Sequence, residues 1–380
     1  MNYYTYIDDP TVKQRKLNVS PAAQSKSEYI IQKLKDIKEP FSVITLARTA
    51  NEGVCYPEVQ YTNQNGIRIK ALKDEKYKSG LRKYISSIRY HFRILKQFLQ
   101  VNKGDTIIVY HSLNHAMELC IAKKIRGFKL ILEVEEIYQD VVSCGKMRAY
   151  WERKAIKAAD GYILSTETLS KVIQPSKPYI VVNGTYHAEP KRNVGFNDDK
   201  IHCVYAGTFE PAKGSATAVA AAGFLPENYH VHILGFGTEE QIENTKTHIR
   251  QVQERAKCTI SYDGLKTGEE YIQFLQKCHI GLCTQGADVK YTETSFPSKT
   301  LGYLANGLRV LAARISVVVN SEVGDALYYY DSQEPQEMAK AITNIPINED
   351  YDSRHLLNEL DMKCGKNLKQ LLEQVKDELN

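Results

Sequence analysis

Residues able to do chemistry gather where apolar runs end. The run IHCVYAG stops at Gly207, and the chain then passes through Thr208 to Lys213 and Gly214 before a helical pattern begins. Glycines let a backbone approach a ligand closely, and a lysine beside a helix start suits a diphosphate. The same residues would also make a plain strand-to-helix turn with a solvated lysine. They are not a Walker A loop, which needs G-x-x-x-x-G-K followed by Ser or Thr. In ILGFGTEE, Gly235 and Gly237 stand between a strand and a helix, but Glu240 occupies the third glycine position of a dinucleotide fingerprint. That motif reads as a tight turn lining a nucleotide pocket. The segment ETSFPSKTLGYLANGLRVLAA (293–313) offers a loop at Ser295, Phe296 and Pro297. Ser298 is expected to cap the next helix, with Lys299 and Thr300 in its first turn and Asn306-Gly307 at its end. Such a helix start is an anion site or simply a capped βα unit.

The first half ends its runs in other groups. KLILEVEEIYQD closes in Glu135 and Glu136, which could position or deprotonate a hydroxyl or remain solvated and ion-paired. TIIVYHSLNH closes in His111 and His115, four apart, without an obvious third metal ligand. On spacing alone a metal site stays open, with cleft lining for His111 and a helix start for His115 as the plainer reading. VVNG puts Asn183 at another strand end.

These groups need a scaffold that brings strand ends together. Strands are expected at 3–7, 41–47, 66–72, 105–111, 129–137, 161–166 and 179–183, and again at 201–207, 229–235, 258–264, 279–285 and 308–313. Helical patterns lie between most of them. Continuous apolar strands alternating with helices indicate parallel sheets covered on both faces. A polar, turn-rich stretch at 187–200 separates the halves. The expected class is α/β, with two doubly wound, Rossmann-like domains facing a central cleft. Residues 1–186 form the first and 187–352 the second, with a helical tail at 353–380 that packs back toward the first. Ligands of such folds sit at the carboxyl ends of strands.

Bulk properties agree. The chain has 380 residues, 43% hydrophobic and 25% charged, with a net charge of +5. That is the composition of a globular protein, and its charge gives no reason to expect nucleic-acid binding. No run of about 18 apolar residues marks a membrane span. The N-terminus lacks a secretory signal, so a cytoplasmic location is expected. The eight cysteines form no C-x-x-C pair, and most lie in apolar runs, so reduced thiols are expected rather than disulfides or zinc.

The order of the motifs resembles glycosyltransferases of the GT-B fold, of the retaining family-4 type. Phe296 to Gly307 has the spacing of that family's F-to-G stretch, Leu308-Arg309-Val310-Leu311 falls where its next strand continues, and Val181-Val182-Asn183-Gly184 matches the end of its first domain. The variant S-F-P-S-K with Y-L-A-x-G resembles the subgroup that builds bacterial capsule and exopolysaccharide units. The resemblance implies a metal-independent, retaining hexosyltransferase with no cofactor, whose substrate is a nucleotide-diphosphate sugar. Donor contacts would come from Gly207, Thr208, Lys213, Gly214, Gly235, Gly237 and Ser295 to Thr300. Glu135 and Glu136 would be catalytic, His111 and Asn183 would line the acceptor side, and the acceptor would be a saccharide, lipid-linked, at the inner membrane face. The chain departs from the pattern in three places: Thr208 replaces an arginine, Gly302 replaces a glutamate, and Glu293 stands one position from the other expected glutamate. A non-catalytic partner subunit and a nucleotide-sugar epimerase are the alternatives.

The stretch 70–100 is basic and amphipathic. Leu81, Tyr84, Ile85, Ile88, Phe92, Leu95 and Leu99 recur at helical spacing, which predicts a packed face. Nine lysines and arginines crowd the remainder, and such a segment is also able to dock on an anionic membrane.

Overall fold

The computed structural model describes residues 1–141, 143–285 and 295–377. It divides into two compact units. The first comprises Met1–Thr185 and the C-terminal stretch from Lys363, and the second comprises Tyr186–Met362.

Among the described residues the first unit holds ten strands: β1 (Asn2–Thr5), β2 (Ser42–Thr45), β3 (Cys55–Tyr56), β4 (Val59–Thr62), β5 (Arg68–Ala71), β6 (Asp74–Glu75), β7 (Thr106–Tyr110), β8 (Lys129–Val134), β9 (Gly161–Leu164) and β10 (Tyr179–Val181). Eight of them form one sheet in the order β10-β9-β8-β7-β1-β2-β5-β4, parallel except for the β4–β5 edge. The chain builds outward from β1 through β2, then returns to β7 on the other side, so the order reverses between β1 and β7. Tyr4, Ile44, Ile107, Leu130 and Leu132 form the core of one face. β4 escapes sequence reading because its VQYT alternates half-buried and exposed residues, as an edge strand does.

The second unit holds β11 (Ile201–Thr208), β12 (Tyr229–Phe236), β13 (Thr259–Gly264), β14 (Ile280–Cys283), β15 (Arg309–Ala313) and β16 (Tyr328–Tyr330). Their order is β13-β12-β11-β14-β15-β16, parallel throughout. Here the order reverses between β11 and β14. Val231, Ile233, Ile280, Leu282 and Leu311 pack on the helices Ser215–Ala222 and Pro335–Thr343.

One helix departs from expectation, and the C-terminal helix leads the chain back into the first unit. In Gly80–Leu99 the buried residues are Ser86, Tyr90, Ile94, Gln97 and Phe98. Leu81, Tyr84, Ile85, Ile88 and Phe92 face outward, Leu81 with 74% and Phe92 with 67% of its surface exposed. The helix carries two apolar stripes on roughly opposite sides, and the sheet takes the one set by Tyr90, Ile94 and Phe98. The C-terminal helix runs Arg354–Asp377. Its start belongs to the second unit, where Arg354 donates to the carbonyls of Glu189 and Asn306. From Lys363 on it belongs to the first, where Leu371 and Val375 press on Gly161 and Lys376 pairs with Glu39 at 2.7 Å. The eight cysteines are all free thiols. No helix among the described residues is long and apolar enough to cross a membrane.

Candidate functional site

In doubly wound sheets the carboxyl ends beside the order reversal form a crevice for ligands. In the second unit those ends are Thr208 of β11 and Cys283 of β14, and the predicted motifs converge there. Pro211–Lys213 makes a short 3-10 turn that ends at Gly214 with φ 85°. A side chain at Gly214 would place its Cβ 2.0 Å from the Thr284 carbonyl oxygen, so only glycine fits. The Thr284 hydroxyl donates back to the Gly214 carbonyl at 2.6 Å. On the other flank Gly207 and Gly235 are partners across β11 and β12. A Cβ on Gly235 would lie 1.8 Å from the Gly207 oxygen.

Lys299 lies at the centre of this group. Its Nζ is 3.9 Å from the centroid of the buried Tyr205 ring and 3.5 Å from the Lys213 carbonyl, the far limit of a hydrogen bond. A Cβ built on Gly207 would stand 3.0 Å from the same Nζ. Burial lowers its pKa to about 8; the neighbouring Cys283 opposes the shift and Lys213 adds to it. Among the described residues no carboxylate pairs with it. The Tyr205 hydroxyl lies 2.9 Å from the Thr208 carbonyl and 3.0 Å from the Lys213 carbonyl, and so ties the strand end to the turn. A desolvated ammonium held against a glycine backbone, with a second lysine nearby, can neutralise an anion.

Other predicted residues take different roles. Ser298 sits at the start of Lys299–Ala305 in helical conformation, φ −55° and ψ −27°, and makes no side-chain cap, which corrects the expected capping. Phe296 and Pro297 are buried, while Ser295 is half-buried. Thr300 is fully buried, with its hydroxyl 3.4 Å from the Cys283 sulfur. Gly307, at φ 82°, ends the helix as expected. Gly237 opens Glu239–Gln253, whose start is closed by a Thr238–Gln241 capping box and carries Glu239 and Glu240. That turn is a poor phosphate site. Glu293 lies outside the described residues.

In the first unit the order reversal brings the ends of β1 and β7 together. A pocket of ≈ 320 Å³ opens there, lined by Tyr6, Asn18, Ser20, Tyr110, His111, Tyr138 and Arg148 among others. His111 lines it with little exposure, and its Nε2 lies 2.9 Å from Glu152 Oε1. Glu152, fully buried, also accepts from the backbone N–H groups of Tyr138 and Gln139. Forty-one residues separate Glu152 from His111, so only the fold reveals this clamp. His115 occupies the position before Ala116–Arg126 but makes no side-chain cap. Its ring lies parallel to Tyr6, with centroids 6.2 Å apart, and burial lowers its pKa to about 4. Among the described residues neither histidine belongs to a metal-binding group. Asn183 is buried and donates to the Ser165 carbonyl at 2.9 Å, a tie between strand ends.

The carboxylates behave unequally. Glu135, half-buried, lies 3.4 Å from the Lys26 ammonium, which also donates to the Val182 carbonyl. Glu136 is half-buried in the loop after β8. Just before them, within β8, is Glu133, missed in the sequence because it sits inside an apolar run. It is fully buried and accepts from the Tyr3 hydroxyl at 2.5 Å. Burial, then the charge of Glu135, pushes its carboxyl up to about 8.

No protein-family model and no curated protein sequence matches the chain. Solved structures match along its whole length. HepE of Anabaena, in complex with UDP, is 12% identical with a TM-score of 0.64, covering 100% of this chain and 99% of that one. Trehalose 6-phosphate synthase of Burkholderia multivorans is 8% identical with a TM-score of 0.62, covering 100% and 98%. Sucrose-phosphate synthase of Thermosynechococcus elongatus is 13% identical with a TM-score of 0.58, covering 100% and 97%. At such identities the likeness establishes architecture: the chain has the GT-B fold, two Rossmann-like units each built on a parallel sheet.

Proposed function

We propose that the chain is a glycosyltransferase that moves a hexosyl group from a nucleotide-diphosphate sugar to a saccharide acceptor. The observation that carries this reading is Lys299, a desolvated cation without a carboxylate partner among the described residues, set against Gly207 at the β11–β14 reversal. The HepE structures with UDP and with UDP-glucose support a nucleotide-sugar as the ligand. In this reading the second unit binds the donor. Lys299 and Lys213 balance the charge that develops on the departing diphosphate, the role a metal ion plays in other transferases. The first unit binds the acceptor at the pocket beside Tyr110 and His111. Glu135 or Glu136, which follow β8 in the same unit, orients its hydroxyl. Retention of configuration, metal independence and a place in cell-surface polysaccharide synthesis follow from the sequence resemblance.

The outward stripe of Gly80–Leu99 supports an acceptor carried on lipid. Leu81, Tyr84, Ile88 and Phe92 form an apolar ridge flanked by the exposed cations Lys78, Arg82, Lys83 and Lys96. Three other cations of this segment are already paired, Lys70 with Glu58 and both Arg89 and Arg93 with Glu75. An apolar ridge with a cationic flank suits the boundary of an anionic bilayer.

The test is thermal shift and calorimetry with UDP-, GDP- and dTDP-sugars, followed by product analysis with lipid-linked acceptors. Stabilisation by none of them would sink the donor reading. Binding without turnover would favour the partner-subunit reading, to which Thr208 and Gly302 lend weight.

A further inference from the structure

A second group of chemistry-bearing residues lies at the opposite end of the β11–β14 sheet. His230 and His232 alternate along β12, so their imidazoles share one face. The register sets His202 of β11 beside His230, and Ser261 of β13 beside His232. From His202 to Gly207 the strand advances about 17 Å, which separates this group from the anion site. One ligand nitrogen from each of the three histidines lies within 4.8 Å of the others.

The outer nitrogens are already held. His202 Nε2 lies 2.7 Å from Asp198, His232 Nδ1 lies 3.1 Å from Asp263, and His230 Nε2 lies 2.9 Å from the Ser261 hydroxyl. That hydroxyl donates to Asp263 at 2.7 Å. Acceptors on the outside fix the rings of His202 and His232 with N–H outward and lone pair inward, the arrangement found around metal-bound imidazoles. The His230 ring stacks on that of His232 at 3.9 Å and joins an ion by turning out of that stack. The inner nitrogens of His202 and His232 then face each other at 2.9 Å, a contact that a shared proton or a bound cation satisfies. A zinc-class ion binds imidazole at about 2.0–2.1 Å, which asks the two nitrogens to part by a few tenths of an ångström. Phe196 stacks on His202 at 4.0 Å and on His232 at 4.9 Å, and Phe274 meets His232 edge-on, so the group is dry on that side. His230 is only half-buried and gives an ion its way in.

We propose that His202, His230 and His232 bind one divalent transition-metal ion of the zinc class, with Asp198, Ser261 and Asp263 orienting the rings. This departs from the metal-free reading of the sequence. All-nitrogen ligation excludes calcium and magnesium, which take oxygen donors. The ion is structural. It fastens the segment carrying Phe196 and Asp198 to β11 and β12, so its loss lowers stability and leaves donor binding intact. The proposal is independent of the glycosyltransferase reading.

The test uses the tag-free full chain, stripped with chelator, dialysed and titrated with zinc chloride in a calorimeter and with cobalt(II) in an absorption spectrometer. One equivalent of zinc, a higher melting temperature and visible cobalt bands are expected. His232→Ala abolishes all three, and His230→Gln, at a half-buried position, does so with the fold checked by circular dichroism. Asp263→Asn weakens zinc binding by about 10–100-fold. His248→Ala, on the Glu239–Gln253 helix, binds like the parent. Less than about a tenth of an equivalent bound by the parent chain overturns the site. So does a folded His230→Gln chain that binds zinc as tightly as the parent, which would move the ion to the cysteines.

Discussion

Replacing Lys299 separates an anion site from a merely buried lysine. The ammonium stacks on Tyr205 and is held to a pKa of about 8 by burial. A diphosphate beside it would gain a charge-assisted hydrogen bond worth about 1.5–3 kcal/mol. Lys299→Gln should therefore raise the Kd for UDP by about 10–150-fold. The pH dependence follows from the same value. Roughly nine-tenths of the chains carry the charge at pH 7 and one-tenth at pH 9, so UDP affinity should fall about tenfold across that interval. The terminal phosphate ionises near pH 6, and the ligand's charge is nearly constant above pH 7. In Lys299→Gln the profile should be flat. Stability without ligand moves the other way. The folded pKa lies below the ordinary 10.5, so between about 8 and 10.5 the unfolded chain binds more protons and stability rises with pH. The penalty is full below 8. Lys299→Gln should therefore melt higher than the parent at pH 7, with the gap closing toward pH 10.5. Calorimetry with UDP at pH 7 and 9 and thermal melts across pH provide the measurements. Parent affinities equal at pH 7 and 9, or a Lys299→Gln Kd within twofold of the parent, would refute the reasoning.

Three further outcomes are expected. Gly235→Ala would drive a methyl into the Gly207 carbonyl and should cost about 2–4 kcal/mol, read by urea denaturation, with loss of UDP binding. Glu133 keeps its proton up to about pH 8 when folded but only to its ordinary 4.5 when unfolded, so parent stability should decline as pH rises through that window. Glu133→Gln should flatten the decline and melt higher than the parent at pH 9; equal slopes in the two chains would exclude Glu133 as the cause. Replacing Leu81, Ile88 and Phe92 together by serine should leave the melting temperature within a few degrees while abolishing co-sedimentation with phosphatidylserine vesicles. Parent binding that survives 0.5 M salt undiminished would argue against the cationic flank.

The alternation of apolar runs with helical patterns made both sheets legible, because buried parallel strands need near-continuous apolar sequence. The Gly207–Gly214 turn was legible for a related reason: glycines between an apolar run and a helical pattern mark a strand-to-helix turn. Parity and partner were harder to read. The stripe Leu81–Phe92 and the stripe Tyr90–Phe98 share one helix, and nothing local says which meets a sheet. The three histidines look unrelated in the chain until the register places His202 against His230. Glu152 reads as one more acid of a polar helix, and its grip on His111 exists only through the fold. Asn183 and Thr300 stand at motif positions and are buried, and a position in a motif does not say how deep a side chain lies.

The return of the C-terminal helix to the first unit bears on how the protein is made. The chain leaves that unit at Thr185 and rejoins it only at Lys363. On the ribosome, the strands β1–β10 emerge long before Leu371 and Val375 exist to cover Gly161. At ordinary rates of synthesis the delay is on the order of 10–40 s. During that interval the nascent first unit presents an uncovered apolar surface, a natural target for chaperones, while the second unit, continuous in sequence, can close as it emerges. A premature stop near the 3′ end of the message would thus damage the part of the protein made first.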